Sequence, residues 1–153
     1  MIQRAIAMRI WVVGLCGVAI VLGGQARIAA AEAFEIEVRI ILASNADKGT
    51  DPRLVDLKKD LQTLNYMSFE QLDTVGLSLD KGKTGKVPLP GDRVLELTPV
   101  AFEKGKVNLQ VKILEKGASI LTTKLRVANH GTVLLGGPPH NLGFLVLALT
   151  VNF

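Results

Sequence analysis

Phe144-Leu145-Val146-Leu147-Ala148-Leu149-Thr150-Val151 is apolar at seven of its eight positions, with Thr150 the one exception. A strand of this kind has no wet face and must be covered on both sides, for example by a helix on one face and another sheet on the other. Upstream, Val107, Leu109, Val111 and Ile113 alternate with Asn108, Gln110 and Lys112, the period-two pattern of a strand with one dry and one wet face. Residues 93–102 and 120–127 flank it as strands. The loops between them, Glu103-Lys104-Gly105-Lys106 and Glu115-Lys116-Gly117-Ala118, have hairpin length and a glycine each. Asn129-His130-Gly131 then turns the chain into a strand over 132–135.

Nearer the N-terminus, Phe34, Ile36, Val38, Ile40 and Leu42 alternate with Glu35, Glu37 and Arg39, which predicts another half-wet strand. Residues 69–72 and 77–79 are shorter strand candidates. Residues 80–86 form a cationic turn, and Val87-Pro88-Leu89-Pro90-Gly91-Asp92 must be an edge or a loop because of its two prolines. Asp51 supplies an N-cap acceptor and Pro52 suits the first helical position. The stripe Leu54, Leu57, Leu61 and Leu64 predicts a helix to about Asn65, with Lys58, Lys59 and Asp60 facing out. That helix is one available cover for the apolar final strand. Five or six short strands with regular turn signals predict an α+β class, mainly an antiparallel sheet or sandwich with one amphipathic helix.

The 153 residues are 48% hydrophobic, 21% charged and 5% aromatic, with one cysteine and a formal charge of +4. This length allows one domain, and the apolar content is too rich for disorder. A single cysteine rules out an internal disulfide scaffold and a Cys-based zinc site. Much of the rest belongs to an expected address signal. Arg4 and Arg9 precede an uncharged run over 10–24 that is shorter than the roughly 20 residues of a membrane span. Ala31-Glu32-Ala33 follows with small-x-small spacing. The expectation is a signal peptide over 1–33 cut after Ala33, with Ala31 as the second choice, and a single domain over 34–153. An uncleaved anchor is the competing reading. Cys16 follows Leu15 and lies mid-run, so it does not fit a lipidation site. Loss of Arg4, Arg9, Arg27 and Glu32 leaves 15 basic against 13 acidic residues, a net +2. No basic stripe with interleaved aromatics remains, so no nucleic-acid partner is expected.

The motifs that would carry chemistry fail on spacing. Gly82-Lys83-Thr84 resembles the end of a phosphate loop, but Leu77 stands where the first glycine belongs and Val87-Pro88-Leu89-Pro90 follows in place of a helix. His130 and His140, with Asp92 or Glu96, would be the material for a metal site, yet each histidine lies in its own turn. No Gly-x-Ser-x-Gly elbow surrounds Ser44, Ser68, Ser78 or Ser119. Glu35, Glu37 and Glu96 would be the material for paired acids, but Glu35 and Glu37 fall on a strand's wet side, where carboxylates are expected anyway. The expectation is therefore no catalytic residue, no metal and no cofactor. The most distinctive segment is Gly136-Gly137-Pro138-Pro139-His140-Asn141, within a connection over 136–143. Two glycines allow close backbone approach and two prolines then stiffen it, as suits a preorganised contact loop. Its expected companion is the edge near 87–92.

Two resemblances add to this reading. Ser44-Asn45, Asp51-Pro52-Arg53-Leu54, Tyr66-x-Ser68-Phe69, Leu89-Pro90-Gly91 and Gly136-Gly137-Pro138, in that order, resemble a group of short uncharacterised exported bacterial proteins. This resemblance spans nearly all of the chain after the leader and implies export but no activity. Separately, Leu95-x-Leu97-Thr98-Pro99, Val107-x-Leu109-x-Val111, Thr123-x-Leu125-x-Val127 and residues 131–137 are similar to the strand pattern in the secretin core, over about 45 residues. Secretins are outer-membrane secretion pores. The ring domains and long membrane-lining hairpins of secretins are missing here, so pore formation is not implied. The apolar alternation back from Phe153 also resembles the last strand of outer-membrane barrels, without the aromatic girdles. Together these lead to an exported, non-enzymatic binding or envelope-accessory protein whose partner is another envelope protein. The alternatives are an outer-membrane-associated or secretion-pore-related element, and a hydrolase with an unrecognised site.

Overall fold

Alternation at Phe34 opens the first strand of the computed structural model, which describes residues 33–153. The expected leader lies outside the described residues except for Ala33, which already pairs with Asp80 at the start of β1 (Ala33–Ser44). Along β1, Phe34, Ile36, Val38 and Ile40 are buried while Glu35 stays exposed. The alternation breaks at Ile40 and Ile41, which are both buried, because a helix covers the outer face from that point on.

The chain then makes a 3-10 turn over Pro52–Leu57 that continues into α1 (Lys58–Gln62). A single helix to about Asn65 was the expectation, and the leucine spacing explains the difference. Leu54 and Leu57 are three apart, the eclipsing interval of a 3-10 helix, whereas Leu57 and Leu61 are four apart, as on an α-helix. Leu64 returns to the three-residue interval, and its N–H donates to the Leu61 carbonyl at 3.0 Å. Following the leucines in this way lets Leu54, Leu57 and Leu61 all reach the sheet, where they pack with Ile41, Ala43, Phe69, Val146 and Ala148. Asp51 caps the start as expected, accepting from the Arg53 N–H at 3.0 Å.

β2 (Ser68–Asp80) is one long strand where two short pieces were expected. Asp73 and Gly76 are poor strand formers, but pairing with β1 along its whole length overrides them, with Leu72 left over as a bulge. β3 (Gly85–Leu89), β4 (Arg93–Glu103), β5 (Lys106–Glu115) and β6 (Ala118–Ala128) form an antiparallel meander. The Pro88-bearing strand is its edge, as expected. The hairpin turns Lys104-Gly105 and Lys116-Gly117 have positive φ at both residues, the geometry whose twist matches the strands they join. β7 (Gly131–His140) and β8 (Gly143–Asn152) complete the chain.

Two four-stranded antiparallel sheets result, in the orders β2-β1-β8-β7 and β3-β4-β5-β6. They share one core, in which Phe34, Ile36, Val38 and Ile40 meet Val87, Leu95, Leu97 and alternate residues of β5. The class is as expected, mainly antiparallel sheet with one short helix. So is the double cover of the last strand. Leu145, Leu147, Leu149 and Val151 enter the core between the sheets, and Val146 and Ala148 lie under the helical segment. Among the described residues no helix is long and apolar enough to cross a membrane.

Candidate binding cleft

The segment expected to be a loop over 136–143 is mostly strand. β7 continues through Gly136, Gly137, Pro138, Pro139 and His140, and only Asn141-Leu142 turn the chain into β8. The prolines are tolerated because β7 is an edge strand, with no neighbour on its outer side to demand their missing N–H groups. A bulge accommodates them. Gly136 pairs with Val146 and Pro139 with Phe144, so Gly137 and Pro138 share the single partner position at Leu145. A Cβ at Gly137 would stand 3.0 Å from the Leu145 carbonyl oxygen, which explains the glycine at this close approach.

A second bulge faces the first. In the other sheet, Ile113 pairs with Leu121 and Leu114 with Ser119, leaving Ile120 as the extra residue of β6. β6 and β7 are the edges on the same side of the molecule, and between their two bulges lies a cavity of about 290 Å³. Its lining is Gly136, Gly137, Pro138 and Pro139 from one sheet and Ile113, Ile120 and Leu121 from the other. Ile113 is fully buried core, whereas Ile120 is 45% exposed. The cleft therefore runs from solvent down to the hydrophobic core. Such a floor suits an apolar side chain, and the stiff Pro138-Pro139 wall loses little entropy on contact.

The six expected contact residues divide between two places. His140 and Asn141 sit at the end of the molecule, past the cleft. Asn141 adopts φ 50°, a left-handed conformation that Asn tolerates, and its Nδ2 lies 3.3 Å from His140 Nε2. The anticipated companion edge does come close here, since a side chain on Gly91 would stand 3.8 Å from His140 Nδ1. Asn141 and Leu142 also border a separate cavity of about 190 Å³ with Leu42, Ser44, Ala46, Lys48, Ser68 and Glu70. Leu142 at this tip is 98% exposed.

The other residues weighed for chemistry are placed apart. His130 has φ 57° in its turn, and its Nδ1 lies 2.8 Å from Asn152 Oδ1. Glu35 and Glu37 point away from the core on β1, while Glu96 lies on the outer face of the second sheet near Lys86, so the core separates them. Gly82 and Thr84 are held by β4, through the Gly82 N–H to Pro99 and the Thr84–Thr98 hydroxyl pair at 2.7 Å. Among the described residues no three His, Cys, Asp or Glu side chains gather as a metal site.

Sequence reasoning found one wall of the cleft and missed the other. The signal for the missed wall is Ile120. It is apolar but out of phase with Leu121, Leu125 and Val127, as the extra residue of a bulge must be. No family model, curated protein or solved structure matches the chain.

Proposed function

We propose that the chain is an exported, non-enzymatic binding module of the cell envelope, built as a β-sandwich, and that its contact surface is the cleft between β6 and β7. The observation that carries this reading is the pair of facing bulges, which hold open an apolar-floored space between two free sheet edges. Bulges concentrate at sheet edges and beside functional sites, where they redirect side chains. Export rests on the leader-like segment over 1–33 and on the resemblance to short exported proteins. The partner is another envelope protein, and no cofactor or metal takes part.

The outer-membrane or secretion-pore reading has less support. The secretin-like pattern divides between the sheets, with β4, β5 and β6 in one and β7 in the other. β8, whose alternation resembles a barrel strand, has its apolar residues from Leu145 to Val151 covered on both faces, which leaves lipid no continuous apolar side.

Photo-crosslinking in cells tests the proposal. A crosslinker at Ile120 or Pro139 is expected to capture a defined envelope protein, while one at the exposed Thr132 captures none. Equal capture from all three positions would overturn the cleft as the contact surface. Turnover of generic ester, phosphate or glycoside substrates by the purified protein, abolished by changing one polar side chain, would establish the hydrolase alternative. Migration with the outer-membrane fraction in heat-modifiable form would establish the membrane one.

A further inference from the structure

We infer that the partner docks as an extended strand added to β6, with apolar side chains turned into the cleft and acidic side chains facing Lys124 and Arg126. This rests on the cleft being the contact surface, and it specifies what fills it. β6 is an edge strand, so one row of its N–H and C=O groups lacks a neighbouring strand. Beyond the bulge at Ile120 its register with β5 runs unbroken from Leu121 to Ala128, without Pro or Gly. The other edges are less receptive. β7 carries Pro138 and Pro139, β3 is five residues long with Pro88, and the unbroken stretch of β2 beyond its own bulge at Leu72 contains Gly76.

The two faces of β6 dictate the side chains of the added strand. On the inner side, Leu121 and Leu125 of β6 and Val133 and Leu135 of β7 are only partly buried against the core. Apolar residues at every second position of an added strand would cover them, with one side chain entering the cavity beside Ile113. On the outer side, Thr122, Lys124 and Arg126 are exposed, and neither cation has an ion-pair partner among the described residues. Acidic residues at the intervening positions would pair with them across the strands. The same charges disfavour a second copy, because antiparallel pairing of two β6 edges around this region sets Lys124 and Arg126 against their own images. Strand addition of this kind draws affinity from main-chain hydrogen bonds and specificity from alternate side chains.

The test uses the protein as it accumulates in cells and a fluorescent peptide of about nine residues alternating Leu or Val with Glu, soluble through its charge. Binding is expected, at least about tenfold tighter than for the same peptide with Lys in place of Glu, and weakening as salt rises from about 0.05 to 0.5 M. N-methylation of alternate peptide amides is expected to cost about tenfold or more, and amide exchange is expected to slow in β6. The double variant K124E/R126E, changed only at exposed positions, is expected to reverse the preference toward the Lys peptide. Absence of binding overturns the inference, as does binding indifferent to charge order and N-methylation, or a concentration-dependent dimer that occupies β6. Peptide indifference combined with specific crosslinks from Ile120 and Pro139 would leave the cleft as the contact surface and remove only the strand geometry. Loss of both results would remove both.

Discussion

Arg93 is the most poorly accommodated side chain of the fold. It projects inward between the sheets, 12% exposed, with Nη2 at 3.5 Å from a Glu115 oxygen, while Nε and Nη1 are buried without a partner among the described residues. Unpaired buried donors cost more than the weak ion pair returns. Arg93→Met is therefore expected to leave stability unchanged or to raise it by up to about 1 kcal/mol in urea unfolding. Glu115, at 37% exposed, can return to water in that variant. A loss above about 2 kcal/mol would show that the guanidinium is satisfied after all. Asp51 is the opposite case. It accepts from the Arg53 side chain at 2.7 Å and from the backbone N–H groups of Arg53 and Gln71, which joins the helix start to β2. These contacts, the Arg53 side chain first, hold its carboxyl well below the usual carboxylate range. A depressed folded-state value means that the stabilisation is complete above the unfolded pKa of about 3.9 and is lost as pH falls through the folded value. The stability difference between wild type and Asp51→Asn should thus be constant from about pH 5 to 7 and shrink below about pH 4. A difference that persists unchanged in acid would rule out the charge as its source.

The helical segment is held to its sheet by two independent means. Below it, Leu54, Leu57 and Leu61 pack on Ile41, Val146 and Ala148. At its margin, Arg39 of β1 donates through Nη1 to both Asp56 oxygens at 2.9 and 2.8 Å and through Nε to Glu37 at 2.7 Å. The apolar contact dominates, since a partly exposed ion pair contributes at most about 1 kcal/mol and a buried leucine two to four times that. Leu54→Ala is expected to cost about 2–4 kcal/mol and to expose the outer face of β8, read as faster exchange at Val146 and Ala148. The β7–β8 hairpin depends on Gly143. A Cβ there would collide with the Ala43 carbonyl oxygen on the neighbouring strand, and the backbone there cannot move without breaking the β1–β8 ladder. Gly143→Ala is expected to cost about 2–3 kcal/mol by urea unfolding. A cost under about 0.5 kcal/mol would mean that the two strands can separate locally.

At the scale of the molecule, the first strand pairs with the last. β1 and β8 lie at the centre of one sheet, each flanked on both sides, and β8 is also buried on both faces. Hydrogen exchange should therefore be slowest in β1, β8 and β5, and fastest in β6, β7 and the tip at Leu142. Uniform protection across edge and centre would contradict the open side on which the binding proposal depends. The two ends of the core are closed differently. Phe34, Phe102 and Phe153 form a ring cluster with centroids 5.1 to 6.3 Å apart at one end, and Arg93 with Glu115 lies at the other.

Alternation and composition alone determine which residues of β5 and of β1 as far as Ile40 are dry, that β8 must be covered twice, where Asp51 starts the helical segment, and which Lys-Gly pairs reverse the chain. Ile41 and Ala43 are dry, and Leu42 half-buried, only because the helical segment lies over that end of β1. The features legible in this way are local matters of side-chain period and backbone propensity, which depend on near neighbours in the sequence. Tertiary structure alone decides that Gly136 to His140 form an edge strand rather than a loop, that β2 is continuous through Gly76, and that Ile120 and Pro139 line one cleft. Whether a proline is tolerated depends on which strand stands beside it, and whether two bulges face each other depends on how two sheets stack. Both are set by pairings between residues far apart in the chain, so no window of sequence contains them.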